Sequence, residues 1–314
     1  MSKFTSMIRR VIWSRTAFEF WQSLGVNVTK KHFSSPIPDL KELARREDLW
    51  TQERAAAGID ANLEVQLHFL DDIFPKYKNE LTFAVDRTDV PHEFYLNNAG
   101  FGLEDAGVLH CMIRHYKPRT ILEIGSGNST LVSAKAVLMN EKEGSPCKLM
   151  AIDPYPRKYL RDGIPGFDKL MIQKLEQTDM SIFEQLGEND ILFIDSSHVI
   201  RTGNDVKILY LDVLPLLKKG VVIHSHDVFL PYDYPRRWII DQRAFWTENY
   251  VLQAFLCLNR EFVALFGTHC MMFHYPEKMQ AFFPRPKDYR AHVPSSFWYR
   301  RKLAAPGKSE SNFG

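Results

Sequence analysis

Four cysteines in 314 residues, Cys111, Cys147, Cys257 and Cys270, form no CxxC pair. Their scarcity argues against structural zinc and against a disulfide-stapled secreted domain, and points to a reducing cytoplasm. Nowhere do about 18 apolar residues run uninterrupted, so no membrane-spanning helix is expected. Charge of neither sign dominates: 40 Lys and Arg stand against 38 Asp and Glu, a formal charge of +2, and nucleic acid is not an expected partner. What the chain does have is 45% hydrophobic and 13% aromatic side chains, enough to bury a substantial core.

The first stretch reads as a helical N-terminal region, 1–93, broken at Ser34-Ser35-Pro36-Ile37-Pro38. At its start Phe4, Met7, Ile8, Val11 and Ile12 fall at helical spacing among Lys3, Arg9, Arg10 and Arg15. This predicts an amphipathic helix docked on the body of the protein, with a transit peptide or surface anchor as the alternative. An α/β domain is expected over 94–303, and a disordered tail over 304–314. In that domain an apolar helix over 105–116 stops at Lys117-Pro118, and Thr120-Ile121-Leu122-Glu123-Ile124 reads as a buried strand. Short apolar runs recur at 148–152, 170–172, 191–194, 221–224, 262–266 and 271–273, with crossover helices expected over 130–140, 205–217 and 248–260. The alternation implies a mainly parallel, seven-stranded sheet covered on both faces. Gly267-Thr268-His269 is too short for a crossover, so the last two strands are expected to close it as an antiparallel hairpin.

Glu123-Ile124-Gly125-Ser126-Gly127-Asn128-Ser129-Thr130 follows a buried strand and opens a helix, where backbone must approach a ligand without Cβ interference. A dinucleotide loop would carry a third small residue where Thr130 stands. The pattern ExGxGxST resembles instead the first motif of class I S-adenosylmethionine-dependent methyltransferases, which have a Rossmann-like fold. The resemblance implies that Gly125, Ser126, Gly127, Asn128 and Ser129 admit the methionine part of the cofactor, and that Glu123 orients the loop and the amino group. Asp153 ends the second strand, where a carboxylate can accept from both ribose hydroxyls. By the same resemblance Glu176 or Gln177 contacts the adenine, while Asp179 reads as a helix N-cap.

Strand four ends Ile194-Asp195-Ser196-Ser197-His198, and strand five ends His224-Ser225-His226-Asp227. If the two ends are neighbours, Asp195 and Asp227 converge on one divalent ion, because two buried carboxylates without a cation are unfavourable. Over roughly 94–275 the chain resembles metal-dependent O-methyltransferases acting on sugars or hydroxylated natural products. The resemblance implies that Asp195 and Asp227 bind magnesium and that His198 is the base. It departs at His226, where relatives carry an acid or amide. A histidine ligand there makes manganese, iron or zinc plausible beside magnesium.

A hydroxyl is a poor nucleophile near neutral pH, and a histidine with a reference pKa of about 6.5 suits its deprotonation. The expected function is therefore methyl transfer from S-adenosylmethionine to a hydroxyl of a small or sugar-containing acceptor. The alternatives are a non-catalytic cofactor-binding scaffold and a nicotinamide-dependent oxidoreductase using Asp153. The loop 228–238, with Tyr232, Tyr234, Arg236, Arg237 and Trp238, is expected to cover the acceptor, and 94–98 the cofactor. Oligomeric state is open, homo-oligomer included.

Overall fold

The computed structural model describes residues 11–51, 58–98 and 100–303. Phe4, Met7 and Ile8 of the expected N-terminal helix, and the tail from Ala304, lie outside the described residues. The chain divides into two compact units, Met1–Thr51 with Pro235–Phe245 and Gln52–Tyr234 with Trp246–Gly314. The first carries short helices, among them Arg15–Ser23 and Leu40–Leu43. Each is opened by a side-chain cap, Ser14 accepting from the Ala17 N–H and Asp39 from the Lys41 N–H.

The second unit is built on a seven-stranded sheet: β1 (Thr120–Ile124), β2 (Lys148–Ile152), β3 (Lys169–Met171), β4 (Ile191–Ile194), β5 (Val222–Ser225), β6 (Phe262–Gly267) and β7 (Phe297–Arg301). Their order is β3-β2-β1-β4-β5-β7-β6. The first five strands run parallel, and β7 is antiparallel to β5 and β6. The helices that matter to the site are α1 (Leu103–Tyr116), α2 (Asn128–Lys142), α3 (Glu248–Leu256), α4 (Thr268–His274) and α5 (Pro276–Phe282).

Strands buried on both faces are mainly apolar, and side-chain alternation then divides them between two layers. Ile191 and Phe193 of β4 join Met112 of α1 and Val132 of α2 in one cluster, whereas Leu192 and Ile194 face Tyr210 and Leu252 in the other. Burial of each such side chain stabilises by roughly 1.5–3 kcal/mol. Chain order reverses between β1 and β4, so the loops leaving their carboxyl ends diverge and open a crevice. Among the described residues no helix is long and apolar enough to cross a membrane.

Two expectations are corrected. The run 271–273 is not a strand but part of α4, and the seventh strand is Phe297–Arg301. Three apolar residues carry too little period to separate strand from helix, and Met favours helix. Thr268, the first residue of α4, donates its Oγ1–H to Asp105 at 2.7 Å. The crossover over 205–217 is not one regular helix: α-helical Asp205–Ile208 passes into a π turn, Leu209–Val213, and a 3₁₀ turn, Leu214–Leu216. Pro215, which has no N–H to donate, stands in that last turn.

Candidate active site

The turn after β1 is fixed by backbone geometry. Gly125 has φ +87°, and a Cβ there would lie 2.0 Å from the Asp195 carbonyl oxygen, so no other residue fits without moving the β4 loop. Asp153, at the end of β2, accepts from the Ser126 N–H at 3.0 Å and Oγ at 2.6 Å, and from the Tyr155 N–H at 2.7 Å. Beneath the loop, Thr130 Oγ1 accepts from the Gly127 N–H at 3.0 Å and donates to Glu123 at 2.6 Å; Ser133 donates to the other Glu123 oxygen at 2.7 Å. Burial, only partly opposed by these hydroxyls, pushes the Glu123 carboxyl up to about 7. Asn128 donates to Asn98 at 2.9 Å, which pins the 94–98 segment against the start of α2, and Ser129 is buried in its first turn.

A cavity of about 390 Å³ lies along this loop, lined by Gly125, Ser126, Asp153, Tyr155, Glu176 and Asp195 among others. Glu176 therefore faces it. Gln177 is turned back, its Oε1 accepting from the Lys174 N–H at 3.4 Å. The Cβ direction of Gly127 opens into empty space. A volume of this size, a glycine-lined wall and a carboxylate at the second strand fit a nucleoside-bearing ligand, with Asp153 Oδ1 keeping a lone pair for a hydroxyl. Asp179 accepts from the Ser181 N–H at 3.0 Å and caps the turn Met180–Gln185.

At the neighbouring strand ends, His198 Nε2 lies 3.3 Å from Asp195 Oδ1 and 3.4 Å from Asp227 Oδ2. The candidate ligand atoms of Asp195, His198 and Asp227 all lie within 4.8 Å of one another. The two carboxylates offer oxygen donors that fit a divalent cation, with the His198 imidazole beside them. His198 and Asp227 have φ of +59° and +57°, a left-handed backbone that non-glycine residues adopt at a cost and that clusters at functional sites. His226 stands outside the group, its Nε2 3.7 Å from Asp227 Oδ1 and its ring packed 5.0 Å from Phe101. Burial favours neutral His198, but Asp195, Glu248 and the charge of Asp227 outweigh it and hold its pKa well above the ordinary value. Asp195, half-buried, is held down to about 2, despite that burial, by the neighbouring His198 imidazole and the charge of His226.

Sequence reasoning missed Glu248, fully buried at the start of α3, whose Oε2 takes His198 Nδ1 at 2.8 Å. It missed Ser295 as well, which donates to Asp227 at 3.0 Å. An acid in the first turn of a helix reads as a partner of the helix dipole, so no local signal marked Glu248. Tyr234, expected in a covering loop, is 1% exposed, and its hydroxyl accepts from the Asn249 N–H at 2.9 Å; it is a core residue.

A family model described as a methyltransferase domain matches residues 122–228, from within β1 to just past Asp227. The chain belongs to the class I S-adenosylmethionine-dependent methyltransferases. An uncharacterized protein of Archaeoglobus fulgidus is 38% identical to this methyltransferase over 174 residues, covering 51% of this chain and 74% of that protein. Apo CalS11, a TDP-rhamnose 3'-O-methyltransferase of calicheamicin biosynthesis, is 15% identical with a TM-score of 0.40, over 79% of this chain and 99% of that one. CmcI with magnesium and S-adenosylmethionine is 22% identical with a TM-score of 0.29, over 48% of this chain; the methyltransferase spans only 60% of that chain. Likeness this slight says nothing about acceptor or metal.

Proposed function

We propose that this methyltransferase moves the methyl group of S-adenosylmethionine to a hydroxyl of a small or sugar-containing acceptor, using a divalent cation and His198 as base. One observation carries the reading: Asp195 lines the cofactor cavity and also meets His198 at 3.3 Å, so the two halves of the reaction share one residue. The cofactor loop, with Asp153 and Glu176, holds the methyl donor along β1 and β2. Asp195, Asp227 and His198 stand where the acceptor hydroxyl must arrive. A divalent cation held by Asp195 and Asp227 would lower the pKa of a hydroxyl beside it and offset the negative charge around His198. His198 Nε2 then receives the hydroxyl proton as oxygen attacks the methyl carbon and the sulfonium leaves as a thioether. Positioning supplies the rest of the acceleration, since the methyl group is already activated.

We assign the transfer to residues 94–303. The four free cysteines fit a reducing, cytoplasmic setting. Calorimetry with S-adenosylhomocysteine and with manganese, followed by turnover on a panel of hydroxylated acceptors with and without chelator, tests the proposal. Binding of both ligands and chelator-sensitive methylation are expected, and Asp227→Asn should weaken manganese binding. Failure to bind S-adenosylhomocysteine removes the cofactor assignment, whereas methylation that survives chelation removes the metal.

A further inference from the structure

Glu248 is tied to His198 twice. Its backbone N–H donates to the His198 carbonyl at 3.0 Å, beside that of Thr247 at 2.9 Å, so His198 satisfies the first orphan donors of α3. Its carboxylate reaches around to His198 Nδ1 at 2.8 Å. The left-handed backbone of His198 accompanies both contacts, carbonyl towards the helix and ring back towards the same residue. The second Glu248 oxygen accepts from the Tyr210 hydroxyl at 2.8 Å; Tyr210 lies 3.0 Å from Ser225 Oγ, which lies 3.2 Å from the Tyr299 hydroxyl. Trp246 covers the imidazole, its ring centroid 4.5 Å away.

Every polar member of this chain is fully buried, and it ends at Tyr299 inside the sheet. A relay to solvent would need an exposed terminus, so the chain anchors rather than conducts. Well-packed apolar residues would serve stability as well as a buried carboxylate does, which leaves orientation as what the carboxylate adds. We propose that Glu248 is a positioning residue: it takes the Nδ1–H of His198 and so commits Nε2 alone to the Asp195–Asp227 side. The catalytic consequence rests on His198 being the base, and the general logic is that of any histidine whose tautomer is set by a partner on its other nitrogen.

Histidine-labelled protein in long-range proton–nitrogen spectra, at a pH where the ring is neutral, reports the tautomer without any acceptor. His198 is assigned by the peak lost in His198→Gln. The wild type should show Nδ1 protonated and Nε2 bare; Glu248→Gln, with an intact thermal transition, should show a mixture, and Tyr210→Phe a smaller shift the same way. Turnover of Glu248→Gln should fall about 10²- to 10⁴-fold in kcat, with S-adenosylhomocysteine affinity within about twofold of wild type. An unchanged tautomer in the folded Glu248→Gln variant overturns the positioning role. A changed tautomer while His198→Ala keeps wild-type turnover overturns instead the assignment of His198 as base, and the catalytic consequence with it.

Discussion

The cofactor end and the reaction end of the same crevice are built by opposite means. Between Glu123 and Ser133 the hydrogen bonds beneath the loop are local, a threonine under the turn and a serine one turn on, and the more distant partners Asp153 and Asp195 come from the ends of adjoining strands. The reaction end is assembled from residues far apart in the chain, with His198 meeting Asp227 and Glu248 and Asp227 meeting Ser295. Local construction makes a rigid wall that tolerates little change. Long-range construction makes a site whose parts have separable duties, and mutations should divide along that line.

Gly125→Val should have the largest effect. It places a β-branched side chain at φ +87° and against the Asp195 carbonyl, and calorimetry with S-adenosylhomocysteine should find binding abolished. A folded variant that binds normally would take the loop out of the cofactor wall. His198→Ala at the other end should reduce kcat by about 10²- to 10⁴-fold while cofactor affinity holds, part of the loss returning at higher pH. Equal losses in binding and turnover would erase the distinction between the two ends.

Asp153→Ala comes third. A charge-assisted hydrogen bond lost from ground and transition state alike should weaken cofactor binding about 10- to 100-fold and leave kcat at saturation near wild type. A pure kcat defect would move Asp153 to the reaction side. Glu123→Gln is the mildest. The Glu123 carboxyl sits near 7 against 4.5 for the unperturbed group, so between these values the folded state binds more protons than the unfolded state. Stability should fall as pH rises through that window, by about 3 kcal/mol in all. The Gln variant, with nothing to titrate, should show a correspondingly flatter dependence in urea melts at pH 5 and pH 8.

What could be read from the chain follows the same division. β1, β2 and β4 are buried apolar runs with sharp ends, and their limits match those expected from sequence. The acids at those ends stand out because the strand fixes their place. Glu248 does not, because its partner is 50 residues away and only the packing of α3 brings them together. His226, expected as a ligand, packs its ring beside Phe101 and His224 while its Nε2 lies 3.7 Å from Asp227, an orientation that spacing along β5 does not announce. The aromatic run of β7 belongs beside β5, a pairing set by long-range register that no local period announces.

For anyone wishing to make this crevice accept an altered cofactor, the two glycines of the loop are not equivalent targets. A library at position 127 explores empty space and should yield many soluble variants. Position 125 works as a keystone: the carbonyl of Asp195 occupies the place a side chain would take, so any enlargement there displaces the aspartate we propose to face the acceptor. Selection for a new methyl donor at that point is selection for a new acceptor chemistry as well, and the two specificities should drift together.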